Sequence, residues 1–70
     1  MEYWVILETD GKSWSAFVPD LPGCIATGET MEEARGNIAE AVEFHLEGLK
    51  LEGLDVPPPT TQAAQIRISA

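Results

Sequence analysis

The stretch Pro19-Asp20-Leu21-Pro22-Gly23-Cys24, followed at once by Thr27-Gly28-Glu29-Thr30-Met31-Glu32-Glu33-Ala34, constrains this chain more tightly than anything around it. Two proline rings set φ on either side of Asp20-Leu21, and Gly23 permits a backbone angle that other residues avoid. A rigid turn therefore gives way to a short extended run. That run leads into a helix start, because Thr30 and Glu33 stand in the S/T-x-x-E relation of a capping box. The hydroxyl is placed to accept the backbone N–H three residues on, and the carboxylate to reach back to the N–H of Thr30. Nothing catalytic lies among these parts. Their order indicates a small binding module rather than an enzyme.

Hydrophobic periodicity extends the reading in both directions. Residues 2–8 form a strand with Tyr3, Val5 and Leu7 on one face and Trp4, Ile6 and Glu8 on the other. Apolar residues on both faces point to a central strand. Asp10-Gly11 is a hairpin turn signal, and residues 13–18 return as a second strand that Pro19 stops. Residues 25–29 make a short third strand. From Thr30 the period becomes helical: Ala34, Ile38, Ala41, Val42, His45 and Leu49 share one arc, extended by Met31 and Leu46. The helix runs to about Glu52, with Gly53 as its stop, and spans near 30 Å at roughly 1.5 Å per residue. Pro57-Pro58-Pro59 stiffens the connector beyond it. Residues 65–69 alternate Ile66 and Ile68 with polar neighbours and read as a final strand. The expected fold is a single α+β domain over residues 1–70, in the order β-β-β-α-β, with one long helix packed on the sheet.

Seventy residues bury only about 60% of the surface the unfolded chain exposes, so a domain of this size needs help to be stable. Cys24 is the only cysteine, which excludes an intrachain disulfide, and with His45 the only histidine no metal site is expected. Oligomerisation is the remaining aid, and a homo-oligomer is expected. No secretory core region precedes the first strand and no apolar run is long enough for a membrane span, so a cytoplasmic protein is expected. Twelve acidic against four basic residues give a net charge of −8. Such a chain lacks the cations that replace counterions on phosphate, which argues against direct nucleic-acid binding and for a basic protein partner.

The helix supplies the candidate contact residues. Glu32, Glu40, Glu43 and Glu47 form a solvent-side stripe offset only by Lys50. An ordinary solvated face is one reading, and a docking surface for a basic protein is the other. The lack of interleaved lysines keeps the second level with the first. Glu40, Glu43 and Glu47 are the acidic candidates, and Phe17 is the aromatic one. If the helix covers one face of the sheet, either Phe17 or Trp14 lies on the uncovered face, where an exposed aromatic marks an association surface. His45 has no nucleophile or orienting carboxylate assigned to it, and reads as a core or interface residue. Cys24 reads as a small buried side chain. Nothing in the spacing of the carboxylates supports their convergence on paired metal ions.

Taken together, the strand-hairpin opening, Val18-Pro19-Asp20-Leu21-Pro22-Gly23-Cys24, the Gly28-Glu29-Thr30 lead into Glu32-Glu33-Ala34, the amphipathic helix and the proline-rich tail resemble the HicB-type antitoxin domain over nearly the whole chain. The resemblance implies a partial ribonuclease-H-like fold without nuclease activity, with the last strand beside the first. It also implies association as dimers or higher oligomers such as tetramers, and neutralisation of a small, basic, mRNA-cleaving toxin of the HicA type. Many such antitoxins add a C-terminal operator-binding domain. This sequence ends at Ala70, so none is expected and transcriptional autoregulation is doubtful. Two further functions stand beside this one: a small metal-dependent hydrolase on a ribonuclease-like scaffold, and an orphan structural oligomerisation module.

Overall fold

The computed structural model describes residues 1–69. Three short strands, β1 (Ile6–Thr9), β2 (Trp14–Phe17) and β3 (Ile25–Gly28), precede one long helix, α1 (Met31–Leu51). The strands form an antiparallel meander in the order β1-β2-β3, and α1 lies across one face. The α+β class and the order of the first four elements are those expected from the sequence, but β1 lies at an edge of the sheet and not at its centre, because no further strand pairs with it among the described residues. Pairing in β1 begins at Ile6, later than the run of alternation, because the returning strand ends at Phe17, which sits opposite Ile6.

Local chemistry accounts for each junction. Between β1 and β2, the Asp10 carboxylate accepts the N–H groups of Lys12 and Ser13 at 2.8 and 2.9 Å. Those bonds hold its pKa below the ordinary carboxylate value. Between β2 and β3 the chain makes two successive tight turns. Leu21 N–H donates to the Val18 carbonyl and Cys24 N–H to the Leu21 carbonyl, both at 3.0 Å. Gly23 sits at φ 83°. The proline-bounded turn therefore folds inward, and Leu21 is its plug, with no exposed surface at all.

The Thr30 hydroxyl caps α1 by accepting the Glu33 N–H at 3.0 Å. The reciprocal arm of the box differs from expectation. The Glu33 carboxylate accepts, at 3.4 Å, from the N–H of Glu29 rather than that of Thr30. At the other end Leu54 N–H returns to the Leu49 carbonyl and Gly53 N–H to that of Lys50. This paired closure needs the left-handed backbone that Gly53 adopts at φ 70°.

The core is small: Ala16, Val18, Leu21, Cys24, Ala34 and Ile38 are buried. Val5, Leu7, Trp14, Ala26, Ala41, Val42 and Leu46 pack around it. The helical arc read from the sequence is thus the face laid on the sheet.

The tail departs from expectation. Residues 65–69 pair with no strand among the described residues, and Ile66 and Ile68 are 76% and 75% exposed. Upstream of it the chain is held to the domain. Tyr3 donates its hydroxyl proton to the Pro57 carbonyl, and Asp20 then accepts the N–H and hydroxyl of both Thr60 and Thr61 at 2.7–3.1 Å. This clamp ties the tail to the β2–β3 turn at Thr60 and Thr61, ahead of the exposed residues 65–69. The radius of gyration is accordingly 13.9 Å, against about 11 Å for a compact chain of this length.

The pH response of the clamp is predictable. Hydrogen bonds from Thr61 first, then Thr60, hold the Asp20 carboxyl below its ordinary value of 3.8. A lowered pKa means the clamp is at full strength above 3.8 and is lost as pH falls through the lower, folded-state value. The Thr60 and Thr61 amide resonances are expected to titrate together below pH 3.8. Asp20→Asn is expected to abolish that titration. Midpoints at or above the ordinary value would refute the clamp.

Candidate functional site

Strand pairing decides which aromatic faces solvent. Trp14, Ala16 and Val18 share the face covered by α1, with Val5 and Leu7 beside them on β1. Phe17 therefore turns to the uncovered face. There the register aligns Ile6, Phe17 and Ile25 in one row across all three strands. Ile25 in this row is 69% exposed. The next row, Glu8-Ser15-Thr27, is polar. The uncovered face thus carries a compact apolar band at one end.

Glu40, Glu43 and Glu47 are all exposed on the outer side of α1, within an arc of about 60° at 100° per residue. The two-layer fold separates them from Phe17. The carboxylates look outward from the helix, and Phe17 outward from the sheet. The four candidates therefore form two surfaces, not one.

Sequence periodicity does not single out the side chains that complete the helical surface. Phe44 and Leu51, two turns apart, are 80% and 82% exposed beside Glu40 and Glu47. Their signal in the sequence is that they are large apolar residues out of phase with the buried arc. Phe44 also walls a groove of about 380 Å³ between α1 and the start of β3, with Ile25, Ala41 and Gly48. An aromatic rimmed by carboxylates can accept a cationic, partly apolar surface: the ring supplies buried area and the rim supplies sign.

The other marked residues have structural places. Cys24 is buried, and burial pushes its thiol pKa up, away from the reactive thiolate. His45 is half-buried beside the α1–β3 groove. Among the described residues no three His, Cys, Asp or Glu side chains gather to hold a metal ion. No helix among them is long and apolar enough to cross a membrane.

Comparison with known proteins adds to this geometry. The family described as "HicB_like antitoxin of bacterial toxin-antitoxin system" matches residues 3–68. An uncharacterized 14.9 kDa protein from the rep-hol intergenic region of Haemophilus phage HP1 is 37% identical over 81% of this chain. The chain spans only 43% of that protein. A UPF0150 protein of Helicobacter pylori is 43% identical over 70% of this chain and 68% of its own length. A UPF0150 protein of Synechocystis is 47% identical over 79% of this chain and 71% of its own. The crystal structure of the N-terminal domain of the Burkholderia pseudomallei antitoxin HicB superposes with a TM-score of 0.77 at 35% identity. That match covers 89% of this chain and 74% of the other.

Proposed function

Since the chain belongs to the HicB-like antitoxin family of bacterial toxin-antitoxin systems, we propose that it is a non-enzymatic antitoxin module. In this reading it neutralises a small, basic, mRNA-cleaving toxin of the HicA type by covering the toxin's active surface. The observation that carries the reading is the outer face of α1, where exposed Phe44 and Leu51 stand beside Glu40, Glu43 and Glu47. A ribonuclease must present cations to grip phosphate. The carboxylates compete for those cations, and Phe44 anchors the contact with apolar area that phosphate lacks. Phe17 and its row are assigned to a second protein contact on the opposite side. The chain is also read as self-associating into a dimer or tetramer, because its core is small and its two faces leave large apolar side chains exposed.

The test is titration of the chain against a purified HicA-type toxin, reading both affinity and RNA cleavage. Submicromolar binding that stops cleavage is expected, weakening as salt rises. Charge reversal of Glu40, Glu43 and Glu47 to Lys is expected to weaken binding by at least about 100-fold, as several like-charge contacts replace attractive ones. Phe17→Ala is expected to leave toxin binding within about threefold, an effect under 1 kcal/mol. The opposite pattern would move the toxin to the sheet face. Absence of binding to any such toxin would remove the antitoxin reading itself.

A further inference from the structure

One flank of α1 carries large apolar side chains in the open. Ala41, Phe44, Gly48 and Leu51 recur at intervals of three, four and three residues and share an arc of about 80° at 100° per residue. Phe44 and Leu51 are 80% and 82% exposed. The arc lies between the outer glutamates and the side chains packed on the sheet. It borders the groove of about 380 Å³ that Cys24 and Ile25 also line. Toward the N-terminus the same flank is closed, because the Asn37 amide reaches across to the Thr27 carbonyl at 2.8 Å. From Ala41 onward it is open.

Gly48 is the anomaly on this flank. It lies inside α1, where glycine is a poor helix former. Its backbone does not take the positive φ that calls for glycine, and a Cβ built on it would meet nothing within 4 Å. The chain's own packing therefore does not require the missing side chain. A close neighbour would, since Gly48 leaves a hole between Phe44 and Leu51 that a side chain from outside can enter. Intervals of three and four are those at which one helix presents such holes to another. The flanking charges then select the neighbour. Glu40 and Glu47 line the outer edge of the row, and Glu52 stands at the end of its inner edge. A second copy fits poorly: parallel pairing sets Glu47 against Glu52, and antiparallel pairing sets the glutamate edges against each other.

We propose that this flank seats an amphipathic helix of the toxin, laid along α1 with one large apolar side chain lodged over Gly48. This rests on the antitoxin reading and deepens it. The incoming helix presents apolar residues at intervals of three and four, which interleave with Phe44 and Leu51. Lys or Arg runs along the edge that faces Glu40 and Glu47. Gly48 then sets how closely the two helices approach, and any side chain in its place holds them apart. The glycine is thus retained for a partner, at a cost to the helix that carries it.

Titration of Gly48→Leu and Gly36→Leu chains against the purified HicA-type toxin tests the proposal. Each variant replaces a helical glycine with a better helix former, and both are expected to melt no lower than the parent. Gly48→Leu is expected to weaken toxin binding by at least about 10-fold, because its own side chain fills the hole. Gly36 lies about 18 Å away along the axis, at roughly 1.5 Å per residue, and Gly36→Leu is expected to bind within about threefold of the parent. Equal binding by Gly48→Leu would overturn the seat while leaving the antitoxin reading standing. A parent chain that does not bind the toxin would remove both. The helix itself is read by cross-linking, with a photoreactive phenylalanine analogue replacing Phe44 and, separately, Leu51. These positions are about 10 Å apart along α1. The residues they label on the toxin are expected to centre about seven apart, as on a helix lying alongside. Centres about three apart would mark an extended segment, at roughly 3.3 Å per residue, and overturn the helix. Labelling of a second copy in preference to the toxin would overturn it as well.

Discussion

A Leu21→Ala variant is expected to melt far below the parent chain. Leu21 sits at the crest of the turn between β2 and β3, fully buried, where its side chain closes the core that Val18, Cys24 and Ile38 share. Truncating a leucine in such a place removes its transfer free energy and leaves a void, together about 3 kcal/mol. A chain of seventy residues has only about 4–10 kcal/mol of stability in all. Thermal unfolding should shift by about 12–24 °C. The two proline-bounded turns prevent the backbone from collapsing into the void, which places the cost away from the low end of the range. A shift below about 4 °C, under 1 kcal/mol, would mean that the turn is not the keystone of the core.

Gly28→Ala is the second large expected effect, and its sign is the instructive part. A Cβ at Gly28 would stand 2.5 Å from the Ala34 nitrogen and 3.0 Å from both the Ala34 Cα and the Glu33 carbonyl carbon. All three are backbone atoms of the first turn of α1, which cannot rotate away as a side chain would. The end of β3 and the start of α1 must separate, at about 1–3 kcal/mol for overpacking of this kind. The neighbouring Asn37–Thr27 hydrogen bond spans the same joint, so amide exchange there should rise with the loss of stability. Gly36 is the control. Nothing lies within 4 Å of a Cβ built on it, and Gly36→Ala is expected to stabilise α1 by about 0.5–1 kcal/mol. Melting curves of the two variants should move in opposite directions. A harmless Gly28→Ala would show that the strand and helix do not meet so closely.

These two positions mark where sequence reading is strong and where it stops. The Thr30 cap, the Asp10 turn and the buried arc of α1 are legible because each depends on residues a few places apart. Leu21 is visible only as part of a rigid turn, since nothing local says whether a turn folds inward or outward. Gly28 is visible as a motif letter, but its requirement is a distance to Ala34 that exists only once helix and strand have packed. Trp14 and Phe17 illustrate a third limit. Alternation separates them onto opposite faces of β2 and cannot say which face the helix will cover. Residues 65–69 illustrate a fourth, because their pattern encodes readiness to pair and leaves the partner unspecified. The candidate surfaces divide likewise. The carboxylate stripe can be read from helical spacing, while Phe44 and Leu51 lie outside the apolar arc that helical spacing identifies.

The Asn37 amide on the Thr27 carbonyl carries one more consequence. A sheet with two free edges can accept a strand on either side, and each addition leaves a fresh edge for the next, which is how strand addition runs away into fibres. Here a single side chain from α1 occupies the edge carbonyl of β3. An incoming strand at that edge finds the Thr27 acceptor already taken, which makes pairing there weaker than at an unoccupied edge.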